Sequence, residues 1–314
     1  MHRIHPAPKR WIATTFALLA LALSIPGYAK VLHEERSVYT RIIVEDERNL
    51  RCLKFTLVRE NSRQTCMDRN NPQRLVFDYA KMTLSALLLK PDPERILIIG
   101  LGGGTLPMAL RDILPSAVID TVEIDEAVVR VAKRFFDFAE DDQNRVYVQD
   151  ARVFGKRAAL RGEQYDLIIL DAFDGEYIPE HLMTVEFLSE MRGLLSDDGV
   201  LVANTFASSK LYDYESATYA EAFGGFLNFR LPTSGNRVIL VPQAKLDIDA
   251  RTPLDRKTLR ANADALKAPM APYDMPLKRY VSTLLSLSEQ KPDWNSRIRP
   301  LTDQFSPANV LQSQ

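Results

Sequence analysis

Four acids, Glu123, Asp150, Asp171 and Asp174, stand at or just beyond the ends of β-type runs in this 314-residue sequence. An acidic residue at the end of the second strand of a nucleotide-binding half-sheet can accept both hydroxyls of a ribose. A carboxylate beside an amine can take the proton that must leave before the nitrogen attacks carbon. Asp171 and Asp174, on one short stretch, could hold both ends of a short dication. Each acid also has an ordinary explanation. Asp150 could cap the helix that follows it, and Asp174 could belong to a turn with Gly175. Asp171 ends an apolar strand, where an unpartnered carboxylate would be costly.

The elements that must position these acids centre on Arg95-Ile96-Leu97-Ile98-Ile99-Gly100-Leu101-Gly102-Gly103-Gly104-Thr105. The apolar run reads as a strand buried on both faces. Gly100, Gly102 and Gly104 allow a tight turn and close approach of a ligand. Leu106 to Leu114 has helical spacing, so helix amides can face that ligand. A second strand, Val118 to Val122, leads to Glu123, and a helix follows from about Glu126 to Phe138. A third strand, Arg145 to Val148, leads to Asp150 and Ala151, and a fourth, Tyr165 to Leu170, leads to Asp171 and Asp174. A helix over about Thr184 to Leu195, a fifth strand from Val200 to Ala203 and a closing pair, Phe226–Leu231 and Arg237–Val241, complete the alternation. Upstream, Leu75 to Leu89 reads as a helix. Strands alternating with helices predict a doubly wound α/β sheet, whose ligands sit beyond the carboxyl ends of its strands. A nicotinamide dehydrogenase is disfavoured, because Thr105 stands where a third glycine would and an acid follows the third strand.

Composition narrows the class. A formal net charge of -1 and the absence of a dense basic block argue against a nucleic-acid partner. The four histidines are scattered and the two cysteines lack zinc spacing, so no metal site is expected. Residues 1–29 have the layout of an export signal: Arg3, Lys9 and Arg10, then the uncharged run Trp11 to Ile25, then Pro26-Gly27 and Ala29. The alternatives are an uncleaved membrane anchor or a buried helix. Ser37–Val44, Arg51–Val58 and Arg63–Met67 read as a small antiparallel sheet. A hairpin with a three-residue loop would set Cys52 opposite Cys66, as a disulfide in an oxidising compartment or as two half-buried thiols. The expected division is a leader (1–29), a small N-terminal β domain (31–70), a nucleoside-binding catalytic domain (71–242) and a helical C-terminal tail (243–314).

The runs Ile98 to Gly104, Val122-Glu123-Ile124-Asp125 and Asp171-Ala172-Phe173-Asp174-Gly175 occur in the order and spacing of spermidine synthases, which the chain resembles over roughly Ser37 to Val241. The ending Leu301-Thr302-Asp303-Gln304-Phe305-Ser306-Pro307 is similar to that of the bacterial spermidine-synthase-like branch. The resemblance implies a Rossmann-like, S-adenosylmethionine methyltransferase-type sheet behind a small N-terminal antiparallel β domain. It implies transfer of an aminopropyl group from decarboxylated S-adenosylmethionine to a diamine such as putrescine. By the same resemblance Glu123 matches the ribose acid, and Asp150 with Ala151 the pair that holds adenine. Asp171 matches the proton acceptor, Asp174 its partner on the diamine, and Tyr79 a tyrosine lining the diamine pocket.

The departures fall on the amine side. Gly103 stands where the family has a loop aspartate, Lys81 where it has a glutamate, Ala80 where it has glutamine or histidine, and Pro232 where it has a pocket tyrosine. Gly103 alone should relax the preference for the decarboxylated donor, and Lys81, if turned inward rather than solvated, would add to this. A methyltransferase or aminocarboxypropyltransferase using intact S-adenosylmethionine, or a non-catalytic nucleoside-binding protein, therefore stay open beside aminopropyl transfer. In each enzymatic reading the donor is a co-substrate rather than a resident cofactor, and the acceptor is a small amine. A homodimer is the assembly left open.

Overall fold

A computed structural model describes residues 29–55, 63–173, 178–207, 211–243 and 254–306. Asp174, the three-residue hairpin loop and residues 1–28 of the expected leader lie outside the described residues. Among the described residues the strands form two sheets. The first is an antiparallel meander of Lys30–Arg36 (β1), Arg41–Glu47 (β2), Leu50–Phe55 (β3) and Arg63–Asp68 (β4). The second carries the chemistry. Its parallel strands are Arg95–Ile99 (β5), Val118–Glu123 (β6), Asn144–Val148 (β7), Tyr165–Leu170 (β8) and Leu195–Phe206 (β9). Leu227–Arg230 (β10) and Asn236–Pro242 (β11) add antiparallel strands at one edge. The spatial order β10-β11-β9-β8-β5-β6-β7 runs outward from β5 in one direction and then outward from β8 in the other. The switch point therefore lies between β5 and β8, where an α/β sheet opens a crevice at its carboxyl edge.

The apolar runs become strands because both faces are covered. Ile96 and Ile98 enter one core and Leu97 and Ile99 the other. On β8, Leu167 and Ile169 alternate with Ile168 and Leu170 in the same two cores. Each such side chain contributes roughly 1.5–3 kcal/mol on burial. Helices Thr105–Ile113 (α2), Glu126–Phe135 (α3), Ala151–Leu160 (α4), Val185–Gly193 (α5) and Tyr212–Phe223 (α6) connect the strands. Upstream, Asp78–Leu84 (α1) is followed by a 3-10 turn, Ser85–Leu88. Arg256–Leu266 (α7) and Leu277–Ser288 (α8) close the first core through Leu259, Leu266, Tyr280 and Leu284. The small sheet packs Ile42, Val44, Leu53 and Phe55 on Ala127, Val128 and Val131 of α3.

Several elements differ from the sequence reading. β1 was not anticipated, because Lys30-Val31-Leu32-His33-Glu34-Glu35-Arg36 is an edge strand held by backbone pairing with little apolar alternation. The helix expected from Leu75 begins at Asp78, since Leu75 bridges to Met67 of β4. Asp197-Asp198-Gly199 is a bulge within β9 rather than a turn before it: Tyr165 pairs with Leu195, and Leu167 pairs with Val200. Cys52 and Cys66 are direct partners across β3 and β4 and form a buried disulfide. Among the described residues no helix is long and apolar enough to cross a membrane.

Candidate active site

The glycine turn and Asp171 meet at the switch point. The Asp171 backbone N–H donates to the Ile99 carbonyl at 2.8 Å. Gly100 has φ +99°, and a Cβ there would lie 2.4 Å from the Asp171 carbonyl oxygen. Only glycine lets the two strand ends come this close. The turn is supported from the small sheet, where Thr65 Oγ1 accepts the Gly103 N–H at 3.0 Å.

Glu123 stands on the next strand, facing the same crevice. Its carboxylate accepts the Leu101 N–H and the Asp125 N–H, each at 3.0 Å. Burial raises its pKa, and these backbone donors pull it back. These backbone donors take up only part of the carboxylate's acceptor capacity. Ile124, directly after it, is an exposed apolar side chain.

Asp150 caps a helix and has a second side-chain partner. Oδ1 accepts the Val153 N–H at 2.9 Å and caps α4, while Oδ2 meets His181 Nε2 at 2.9 Å. Burial pushes this carboxyl up, but the Val153 N–H and His181 outweigh it and hold the pKa below its usual value. Ala151 opens α4 and is buried.

Among the described acids expected at the site, Asp171 is the most perturbed. Asn204 Nδ2 donates to its Oδ1 at 2.8 Å, and the Tyr79 hydroxyl also bonds to it. Burial pushes its pKa up to about 7, against the pull of Asn204 and Tyr79. Burial and the adjacent Asp171 raise Tyr79 well above the ordinary phenol value, so it stays a neutral donor. A carboxylate tuned close to neutrality suits a general base.

Asn204 was missed by the sequence reading. It is 4% exposed and sits on β9, in register with the apolar strand that precedes it. Its Oδ1 accepts Asn236 Nδ2 of β11 at 3.0 Å, which fixes which face of the amide meets Asp171. The available signal was a carboxamide directly after Val200-Leu201-Val202-Ala203, since a buried amide needs partners. His181 was likewise set aside as one of several scattered histidines.

Two departures on the amine side have defined surroundings. Lys81 Nζ donates to the Asp274 carbonyl at 3.1 Å, in the segment between α7 and α8, and so is not in the inward-turned position. Gly103 faces protein: a Cβ there would lie 2.7 Å from Thr65 Cγ2 and 3.1 Å from the Phe136 ring. Pro232 lines an open groove of about 1020 Å³ with Ala207, Ser234 and residues of α8.

A family model described as the spermine/spermidine synthase domain matches residues 77–233. That span holds Tyr79, the glycine turn, all four acids and Asn204. The chain belongs to the spermidine synthase family. A polyamine aminopropyltransferase of Vibrio vulnificus is 48% identical over 306 residues, covering 96% of this chain and 98% of the relative. Among solved structures, a probable spermidine synthase from Corynebacterium glutamicum aligns with a TM-score of 0.59 at 20% identity, covering 85% of this chain and 98% of that one. A spermidine synthase in complex with the transition state analogue AdoDATO aligns with a TM-score of 0.55 at 19% identity, covering 82% of this chain and 89% of that one. At such identities the two structures bear on the fold. Both share with this chain the methyltransferase-type sheet of the spermidine synthase family.

Proposed function

We propose that this chain is a polyamine aminopropyltransferase, in which Asp171 takes the proton of the attacking amine. The observation that carries the base assignment is the Tyr79–Asp171–Asn204 cluster, set against the glycine turn at the switch point. The donor's ribose lies on Glu123 and its adenine on Asp150 and Ala151, with the turn of Gly100, Gly102 and Gly104 beneath its sulfur end. The amine nitrogen forms a bond to the propyl carbon while the carbon–sulfur bond breaks. The electron pair goes to sulfur, which leaves as a neutral thioether, and the amine proton goes to Asp171. Little covalent chemistry falls to the protein. Holding nitrogen, carbon and sulfonium in line is a large part of the rate. Tyr79 keeps its proton and orients the carboxylate. Asp174 binds the far ammonium of the acceptor.

The 48% identical relative, named a polyamine aminopropyltransferase over nearly its whole length, supports aminopropyl transfer over the methyltransferase and binding-protein alternatives. Decarboxylated S-adenosylmethionine is the donor in this reading, and a diamine of the putrescine class the acceptor. The test is a product assay. Purified protein is incubated with either adenosyl donor and putrescine, and methylthioadenosine and the lengthened amine are quantified by mass spectrometry. Release of methylthioadenosine in step with amine product supports the proposal; methylated amine from the intact donor would replace it.

Export is proposed on separate grounds. The leader-like layout of residues 1–29 and the Cys52–Cys66 disulfide both suit an oxidising compartment. Protein from the native host with free thiols, an intact N-terminus and cytosolic fractionation would refute it.

A further inference from the structure

The C-terminal Leu301-Thr302-Asp303-Gln304-Phe305-Ser306 run plays no part in the transfer step, yet it is fastened to two flanks of the site. Leu301 is fully buried with Met183 and Leu211, and Ile178 packs alongside. Its N–H donates to Thr218 Oγ1 at 2.9 Å, and its carbonyl accepts the Val185 N–H at 2.9 Å. Thr302 and Phe305 exchange two backbone hydrogen bonds, each 2.9 Å, and so close a tight turn around Asp303.

Asp303 is the centre of that turn. Arg152 Nη1 and Nη2 donate to its two carboxylate oxygens at 2.8 and 2.7 Å, and Thr184 Oγ1 donates to Oδ1 at 2.8 Å. Its own N–H donates to Glu186 Oε2 at 3.0 Å. Arg152 lies in the first turn of α4, just after Asp150 and Ala151. Thr184 caps α5 and directly follows the segment that carries His181. Arg152 also donates directly to Glu190 of α5, from Nε at 3.0 Å and from Nη2 at 2.9 Å, so the Asp303 carboxylate reinforces a junction of the two segments that includes this pair and the Asp150–His181 hydrogen bond of 2.9 Å. A bidentate arginine pair sets both distance and orientation.

We infer that Asp303 is a positioning residue for the nucleobase end of the donor site. By holding Arg152 and Thr184 together, it keeps His181 against Asp150 and so turns the remaining carboxylate lone pairs toward the exocyclic amine of adenine. This rests on the reading of Asp150 as the adenine acid. It gives the C-terminal motif a role in choosing the base, distinct from general stability. Adenine presents an amine donor there, whereas hypoxanthine presents a carbonyl oxygen that a carboxylate repels.

The test is calorimetric titration of the full chain with 5′-methylthioadenosine and, separately, 5′-methylthioinosine. Wild type should prefer the adenine ligand by at least ~30-fold, as a site built to pair with an amine rejects an analogue that lacks it. Asp150→Ala should abolish the preference. Asp303→Asn keeps the side chain's shape but loses its charge, and should cut the preference by ~5-fold or more with the inosine affinity nearly unchanged. Arg152→Met removes the bonds to Glu190 as well as those to Asp303, and should cut the preference at least as far. Equal losses on both ligands, or an unchanged ratio in Asp303→Asn and Arg152→Met while Asp150→Ala abolishes it, would overturn the inference. An unchanged ratio in Asp150→Ala would overturn the adenine reading and the inference with it.

Discussion

Removing the Asn204 amide should move the pH dependence of transfer upward. Asn204 Nδ2 donates to Asp171 Oδ1 at 2.8 Å, and it favours the ionised form of a carboxyl that burial has pushed up to about 7. Hydrogen bonds to charged groups contribute about 1.5–3 kcal/mol, and one pKa unit corresponds to about 1.4 kcal/mol. Replacing Asn204 by alanine should therefore raise the Asp171 pKa by roughly one to two units. A base works when deprotonated, so activity rises with pH through its pKa, and raising that pKa moves the rising limb to higher pH. At pH 7, where the wild-type base is half ionised, the variant should be about 5- to 50-fold slower than wild type, recovering most of the difference near pH 9. The measurement is kcat/KM for the acceptor across pH 6–9.5 with saturating donor, with methylthioadenosine affinity as a control for the fold. Asn236→Ala should shift the limb in the same direction by less, because it frees the Asn204 amide to rotate without removing it. A rising limb that stays in place in Asn204→Ala, with nucleoside affinity intact, would show that Asp171 is not the titrating base.

The remaining predictions concern the other parts of the site and the sheet beside it. Asp171→Asn should lose transfer by at least ~100-fold. Because the folded-state pKa is raised from 3.8 to about 7, the wild-type carboxylate weakens the fold fully above about 7 and not at all below about 4. Asp171→Asn should thus melt higher than wild type at pH 8, with the gap closing as pH falls through about 7 toward 4; a gap that persists at pH 4 would refute this. Glu123→Gln should weaken methylthioadenosine by at least ~10-fold in calorimetry, since charge-assisted bonds to the ribose are lost. Replacing Cys52 and Cys66 together by serine should cost about 3 kcal/mol in denaturant unfolding, the expectation for a loop of this size. Gly103→Asp should lower the melting temperature through overpacking by about 1–3 kcal/mol against Thr65 and Phe136. Thr65→Ser, which removes the crowding methyl and keeps the oxygen that accepts the Gly103 N–H, should restore much of it. In that background the affinity ratio of the two donors reports the added charge alone.

The placement of the residues proposed to hold the donor was legible because its pieces are local. Ile96 to Ile99 is apolar throughout, so a buried strand followed by glycines could be read directly, and Glu123 and Asp150 follow their own strands. The Cys52–Cys66 register followed from the hairpin pattern, although the sequence left the bond itself open. Helix α6 was invisible for a physical reason. Its inward face carries Glu215, Ser216 and Thr218, which read as polar surface. They are buried because Arg237 of β11, itself without exposure, bonds Glu215 Oε2 at 2.9 Å and Ser216 Oγ at 2.7 Å. An apolar periodicity cannot report a face buried by an ion pair formed across some twenty residues.

The amine half was hidden by long-range assembly. Asp171 alone names a position, but its chemistry depends on Tyr79 from α1, Asn204 from β9 and, behind it, Asn236 from β11. None of these is adjacent to Asp171 in sequence. The same feature decides how the family departures are to be read. Lys81 lies beside Tyr79 on the short α1, yet its ammonium is held at Asp274. Gly103 lies in the donor turn, yet it faces Thr65 and Phe136. Both positions therefore meet neighbours of the central sheet, the C-terminal segment at Asp274 and the small sheet at Thr65. Donor preference should then follow how closely those neighbours close on the crevice, which the donor affinity ratio of Thr65→Ser checks. Thr65, which touches the turn from the small sheet, becomes the residue through which that closeness can be varied.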